Sequence, residues 1–385
     1  MKVKLGDVCE INPKRTPEDL SMNVSFIPMQ SVSEQGDIDT SDIRSIKEVC
    51  KGFTAFVDGD VLMAKITPCM ENGKGAIASG LHNGIGYGST EFHVLRPNRD
   101  LVRSGWIYYF TKGKLFRINC EKNMTGSAGQ KRVPKSYLQR YPIPLPSLAE
   151  QDKKITLLNR LRQIIILYKS QLQKLDELVK SRFMEQFGEK DYPLRSIGEI
   201  SDVVTKGTTP TTLGFEFVNA GVNFVKVENI TTTGQILKSD LMHITSECHE
   251  KLRRSQLSEG DILFSIAGAI GRTAVVSKDI LPANTNQALA IIRLKKDAGI
   301  LKTYLLAALS SPYVEGQYND QKKGIAQINL TLKNISDLMI PIPPQEKQEQ
   351  FAAFVRQIDK SKFAVRQALD KTQQLFDSLM QEYFG

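Results

Sequence analysis

No stretch of the 385 residues approaches the ~18 uninterrupted apolar residues that a membrane span requires. The longest apolar run in a candidate helix is only IIILY, residues 164–168. Cysteine is scarce: Cys9, Cys50, Cys69, Cys120 and Cys248 make an odd set with no C-x-x-C pair. A secreted disulfide framework is therefore not expected, and reduced thiols in a cytoplasm are. The opening MKVKLGDVCE turns acidic early and has no apolar core or small-residue cleavage site, so it does not read as a signal peptide. Catalytic motifs are missing as well. There is no N/D-P-P-aromatic tetrapeptide of the kind adenine methyl transfer would want, and no G-x-x-x-x-G-K-[ST] loop to cradle ATP. The glycine-rich GIGYG at 84–88 precedes a strand-like segment rather than a helix, which argues against dinucleotide binding. His243, Cys248 and His249 lack a fourth ligand at regular spacing, so no metal is expected. Asp60 and Lys65 lack the further clustered acids of a nuclease site.

What is present is an ordinary globular balance, 41% hydrophobic and 24% charged, with a net charge of +9. That charge mildly favours a polyanionic partner. The length predicts two or three domains, and the chain repeats itself. MEQFG at 184–188 returns as QEYFG at 381–385, and Phe187 and Phe384 stand 197 residues apart (384 less 187). KLGDV at 4–8 resembles SIGEI at 196–200, and FVDGDVLMAKI from Phe56 resembles LSEGDILFSIA from Leu257. FIPMQSVSEQGDI from Phe26 resembles FVKVENITTTGQI from Phe224, and PIP at Pro142 matches PIP at Pro341. The order is the same in both halves and the offsets stay between 192 and 201, which marks a duplicated domain pair rather than a solenoid.

Each half opens with short strand-like pieces bounded by Gly, Asn, Asp and Pro, with a few helical stretches between them, the texture of an α+β domain. After YPIPLPS and IPIPP the texture becomes helical. Leu158, Leu161, Ile165, Tyr168, Leu172, Leu175 and Val179 step by three and four. Phe351, Val355, Ile358, Lys362, Val365, Leu369, Thr372, Phe376, Leu379 and Tyr383 do the same, with Lys362 and Thr372 as polar exceptions. This is a heptad seam. Because GEKDYP leaves little chain between the first helix and the second head, the helices are expected to pair antiparallel, giving a pseudo-two-fold particle. Leu161, Ile165, Tyr168, Leu172, Leu175, Val355, Ile358, Val365, Leu369 and Phe376 are the expected packing residues. Two similar but unlike heads on such a ruler suit a bipartite, asymmetric duplex DNA target.

At this point the sequence resembles the specificity subunit of type I restriction-modification systems along its whole length. The resemblance rests on AKITPCMENGKG from Ala64, GYGSTEFHVLRP from Gly86, MTGSAGQKRVP from Met124, PIPLPSLAEQ from Pro142, KGTTPT from Lys206, SIAGAIGRTAVV from Ser265, NQALA from Asn286 and PIPPQEKQEQFAAFV from Pro341. It implies a target recognition domain at 1–146, a central helix at 147–188, a second recognition domain at 189–343 and a C-terminal helix at 344–385. It further implies a cytoplasmic, non-catalytic DNA reader whose helices dock two methyltransferase subunits, with restriction-motor subunits joining the complex. S-adenosylmethionine, ATP and Mg would belong to those partners. The family's helix start carries an acid followed by glutamine. Glu150 and Gln151 follow that pattern, whereas Lys347 separates Glu346 from Gln348. The competing readings are a standalone DNA-modifying or DNA-cleaving enzyme with an atypical site, and a coiled-coil scaffold that binds no DNA.

Base readout needs paired donors and acceptors, and phosphate contacts need cations and hydroxyls. In the first head these types cluster at Lys65, Thr67, Asn72 and Lys74, at Tyr87, Ser89 and Thr90, and at Ser127, Gln130, Lys131 and Arg132. In the second they cluster at Lys206, Thr208 and Thr209, at Lys226 and Asn229, at Ser265 and Arg272, and at Asn286, Gln287, Gln327 and Asn329. The alternative for each is a surface turn needed for folding.

Overall fold

Val61–Ala64 shows how these short strands arise. Its four residues are all apolar and at most 4% exposed. Side chains alternate across a strand, so Val61 and Met63 enter one core with Trp106 and Phe116, while Leu62 enters another with Ile27, Phe56 and Ala76. An unbroken apolar run is thus a central strand covered on both faces. Ile262–Ser265 does the same in the second half, with Ile262 and Phe264 in one core and Leu263 in the other.

The computed structural model describes residues 2–14, 19–127, 129–188, 190–231, 234–319 and 329–385. It divides into two compact units, Met1–Tyr168 with Ala368–Gly385, and Lys169–Gln367. The first unit holds an antiparallel sheet in the order Cys9–Ile11, Phe92–Pro97, Val61–Ala64, Gly75–Ile77. A second sheet runs Ile43–Ser45, Asn23–Ile27, Ile85–Gly88, Thr54–Val57, with one parallel pairing, Asn23–Ile27 on Ile85–Gly88. The second unit repeats this plan. Its antiparallel sheet runs Ser201–Lys206, Leu289–Leu294, Ile262–Ser265, Thr273–Val275. Its smaller sheet runs Met242–Ile244, Val222–Val225, Ala283–Thr285, again with one parallel pairing. Even the small closing pair recurs: Val3 faces Ile143, and Arg195 faces Ile340.

Charged pairs and glutamines inside the scaffold are duplicated too. The Asp60 carboxylate, 1% exposed, takes a fork from Arg96 at 2.7 and 2.9 Å. Asp261, also 1% exposed, takes one from Arg293 at 2.7 Å. Buried Gln151 accepts from the Arg103 amide and donates to the Leu101 and Pro146 carbonyls. Gln348 accepts from the Leu301 amide and donates to the Gly299 and Pro343 carbonyls. Gln348 is therefore the counterpart of Gln151. Glu150 instead accepts from the Ser147 amide and hydroxyl at the helix start, and the position aligned with Ser147 is Pro344, which offers neither donor.

The long helices span Leu148–Phe183 and Gln345–Phe384. In the first unit the start of one meets the end of the other, with the Lys154 ammonium 4.4 Å from the centre of the Tyr383 ring. Phe384 there packs on Trp106 at 4.5 Å. In the second unit Phe183 packs on Phe351 at 5.8 Å, and Phe187 on Phe351 at 5.5 Å. Within each unit the pairing is antiparallel. Leu158, Leu161, Ile165 and Ile358 are buried, and Tyr168, Leu172, Leu175, Val355, Val365, Leu369 and Phe376 half-buried, as the heptad pattern predicts. The polar seam residue Lys362 is buried and pairs with Asp176 at 2.5 Å. No described helix is long and apolar enough to cross a membrane.

Candidate nucleic-acid interface

The predicted segments of the first head converge at the end of Val61–Ala64. The chain leaves that strand as a loop and returns as Gly75–Ile77, with the Ala64 amide donating to the Lys74 carbonyl at 3.0 Å. The Lys65 amide donates to the Glu91 carbonyl and the Lys65 carbonyl accepts from the Val133 amide, both at 2.9 Å. The Thr67 amide donates to the Lys131 carbonyl at 3.1 Å. Sequence segments 64–75, 86–91 and 124–133 thus share one edge.

The second head builds the same joint. The Ile266 amide donates to the Ala288 carbonyl at 2.8 Å, the Leu330 amide to the Ile266 carbonyl at 2.9 Å, and the Ser265 amide to the Arg272 carbonyl at 2.9 Å. The Thr208 amide, donating to the Thr285 carbonyl at 3.1 Å, brings the 206–211 loop alongside. Gly207 lies so close to the Thr285 and Asn286 carbonyls that a Cβ would collide with them. The Thr209 hydroxyl meets the Gln287 carboxamide.

The side chains sort into two groups. Thr90, Ser127, Gln130 and Lys131 are exposed, and Lys65, Lys74 and Ser89 half-exposed at the joint. In the second head Gln287 and Asn329 are exposed, with Lys206, Thr208, Thr209 and Asn286 half-exposed. Gln327 lies outside the described residues.

The others make contacts within the protein itself. Tyr87 is 2% exposed and belongs to the core. The Thr67 hydroxyl donates to the Lys131 carbonyl at 3.3 Å, and Asn72 donates to the Glu34 carboxylate at 2.9 Å. Arg132 forks the Glu91 carboxylate at 2.8 to 3.1 Å, and this hydrogen bonding holds Glu91 below the usual carboxylate range. Asn229, 4% exposed, accepts from the Lys226 amide and donates to the Asp240 carbonyl. Lys226 lies over the Phe217 ring at 5.0 Å. Ser265 is fully buried, between the Ala269 carbonyl and the Arg272 amide. The Arg272 guanidinium donates to the Ile230 carbonyl at 2.9 Å. Polar side chains in glycine-rich loops satisfy backbone groups as readily as bases, and composition does not separate the two.

His93 was not foreseen as part of this joint. Its Nε2 donates to the Val133 carbonyl at 2.7 Å and its Nδ1 accepts from the Asn12 amide group at 3.0 Å. Burial pushes its pKa down from 6.5 to about 4. The unfolded chain takes up that proton first, so His93 gives stability at neutral pH that is lost as pH falls from 6.5 towards about 4. The full loss is about 3 kcal/mol, on the order of 1.4 kcal/mol per pH unit. An NMR titration of the ring checks this, and a midpoint near 6.5 would refute it. The aligned position in the second head is Ala290, so the second unit lacks this weakness.

Among the described residues, no group of three or more His, Cys, Asp or Glu could hold a metal. The fold and site thus define a chain of two homologous heads, each with a loop cluster at one sheet edge. The chain belongs to the type I restriction modification DNA specificity domain family, whose model matches twice, at residues 1–177 and 189–373. It is similar to the EcoAI specificity subunit of Escherichia coli, 47% identical over 150 residues, which cover 39% of this chain and 26% of that one. The match thus spans about a quarter of that relative. The Escherichia coli EcoBI specificity subunit is 26% identical over 324 residues, 75% of this chain and 67% of that one. In fold it resembles a chain solved in work on assembly and conformational transition of the type I R-M system, with TM-score 0.64 at 20% identity, covering 100% of this chain and 97% of that one. The type I S subunit from M. genitalium follows with TM-score 0.52 at 13% identity, covering 100% and 96%.

Proposed function

We propose that the chain is a DNA specificity subunit in which each head reads one half of a bipartite, asymmetric duplex target. The observation that carries this reading is the doubled loop joint: one backbone scaffold presents unlike side chains twice. Like scaffolds with unlike donors and acceptors suit two unlike half-sites. The exposed Lys131, Gln130, Ser127 and Thr90, with the half-exposed Lys65, Lys74 and Ser89, are the contacts left to the first head. Gln287 and Asn329, with the half-exposed Lys206, Thr208, Thr209 and Asn286, are those left to the second. The net charge of +9 favours phosphate contact.

In this reading the chain does no chemistry. Adenine methylation and DNA cleavage belong to the assembled cytoplasmic complex, with S-adenosylmethionine, ATP and Mg held by partner subunits. Two methyltransferase subunits dock on the long helices, which carry outward apolar residues: Leu157, Ile164 and Leu167 on the first, Phe363 and Leu375 on the second.

The test is an exchange of residues 1–146 for the first head of another family member, followed by sequencing of the methylated bases. One half of the target is expected to change while the other stays. A change in both halves defeats independent reading. Methyl transfer or cleavage by the purified chain alone would favour the enzyme reading instead.

A further inference from the structure

The first head's recognition loop is held from behind. Lys112 ends the helix Ser104–Lys112, and its ammonium donates to the Gly73 carbonyl and, at 2.8 Å, to the Glu34 carbonyl. Arg117, from Lys114–Lys122, donates to the Glu71 carbonyl at 2.5 Å. Asn72, between them, donates to the Glu34 carboxylate at 2.9 Å. Gly73 has φ +69°, where glycine carries no strain, and a Cβ there would stand a tight 3.1 Å from the Arg117 Cδ. Glu34 sits in a turn closed by the Val32–Ile38 bridge and held by the Tyr108 hydroxyl on the Gln35 carbonyl at 3.0 Å. Residues 71–74 are thus held at every position, Lys74 through its carbonyl on the Ala64 amide at 3.0 Å, while the Lys74 side chain stays half-exposed.

The second head has a bridge at the corresponding place, Ile230–Ile236. Backbone carbonyls beside this bridge also receive a cation. Arg272 of the recognition loop itself reaches the Ile230 carbonyl at 2.9 Å and the Val227 carbonyl at 3.4 Å. The residue types, chain positions and accepting carbonyls differ, yet in both heads a cation ties the recognition loop to the segment at this bridge. Placing a lysine where burial pushes it down to about 8, helped by the Arg162 and Arg117 charges, costs desolvation that an aliphatic side chain would avoid. A joint made twice by unlike cations, at that cost, points to a need for loop position rather than for core packing.

We propose that Lys112 is a positioning residue for readout: it sets the backbone of residues 71–74 without touching DNA, so recognition of one half-site depends on it. This rests on the reading that the 64–75 loop faces DNA.

The test uses the chain assembled with its methyltransferase partners and a set of duplexes, each with a single base changed in one half of the target. Lys112→Met removes the donor and keeps the length. It is expected to reduce discrimination roughly tenfold in the half assigned to the first head by the exchange experiment, and to leave the other half unchanged. Equal losses in both halves indicate a merely structural role and overturn the proposal, as does unchanged discrimination. Glu34→Ala removes the surface partner of Asn72 and leaves the carbonyl that Lys112 uses. It is expected to give a smaller loss in the same half even if Lys112→Met yields no soluble complex, and no loss there also overturns the proposal. If the unaltered complex tolerates every single-base change, the two-head reading fails rather than the clamp.

Discussion

Asp60→Ala is expected to cost the first unit about 3 kcal/mol, the lower end of what breaking a buried ion pair costs. The carboxylate is 1% exposed and accepts a fork from Arg96 as well as the Val57 amide at 2.9 Å. Removing it strands a guanidinium in the sheet. The Arg96 side chain keeps 32% exposure, so water softens the loss and sets the estimate low. The melting temperature should fall by about 6–12 °C, taking roughly 2–4 °C per kcal/mol for a unit of this size. Calorimetry of the two proteins measures it directly. The double replacement Asp60→Leu with Arg96→Met should recover part of the loss, since no charge is then left unpaired although the Val57 amide loses its acceptor. A single variant that melts within a degree or so of the parent would show that the pair behaves like a surface bridge.

Gln151→Leu should be at least as damaging, for a different reason. Leucine fills nearly the same space, so no cavity is made. Three backbone groups lose their partners at once: the Arg103 amide and the Leu101 and Pro146 carbonyls. At about 1–3 kcal/mol for each buried unsatisfied group, the three together cost roughly 3–9 kcal/mol, reduced wherever water can enter. Gln348→Leu should do the same in the second unit through the Leu301 amide and the Gly299 and Pro343 carbonyls. Denaturant unfolding gives the magnitude, and hydrogen exchange at the Arg103 and Leu301 amides gives the location. Protection kept at both amides would mean that the glutamines are spectators.

These scaffold residues were legible in the sequence only through the repeat. Asp60 and Asp261 occupy the same place in DGD and EGD, and Gln151 and Gln348 stand 197 residues apart (348 less 151), yet nothing local distinguishes them from solvated polar residues. The α+β heads, the long helices and their seam were legible because burial imposes a period, two in strands and near 3.5 in paired helices. Val61–Ala64 and Leu158 through the seam follow those periods. Loop side chains obey no period. Arg132 finds Glu91 across 41 residues, and Lys112 finds Gly73 across 39. Such partnerships depend on the closed fold, which is why Ser265 and Asn229 resembled DNA contacts in the sequence and are buried brackets in the molecule.

The ion pair in the helix seam has a consequence of its own. A leucine at 362 would bury more comfortably, but it would sit against several neighbours along the facing helix with little preference. Lys362 pairs with Asp176, its ammonium donating to the carboxylate. A slip of one heptad in either direction would bring it instead to Lys169, setting two ammonium groups together, or to Phe183, leaving a cation against a phenyl ring in a closed core. Sliding is penalised both ways, so the seam carries a mechanical stop and the helices lock at a single notch.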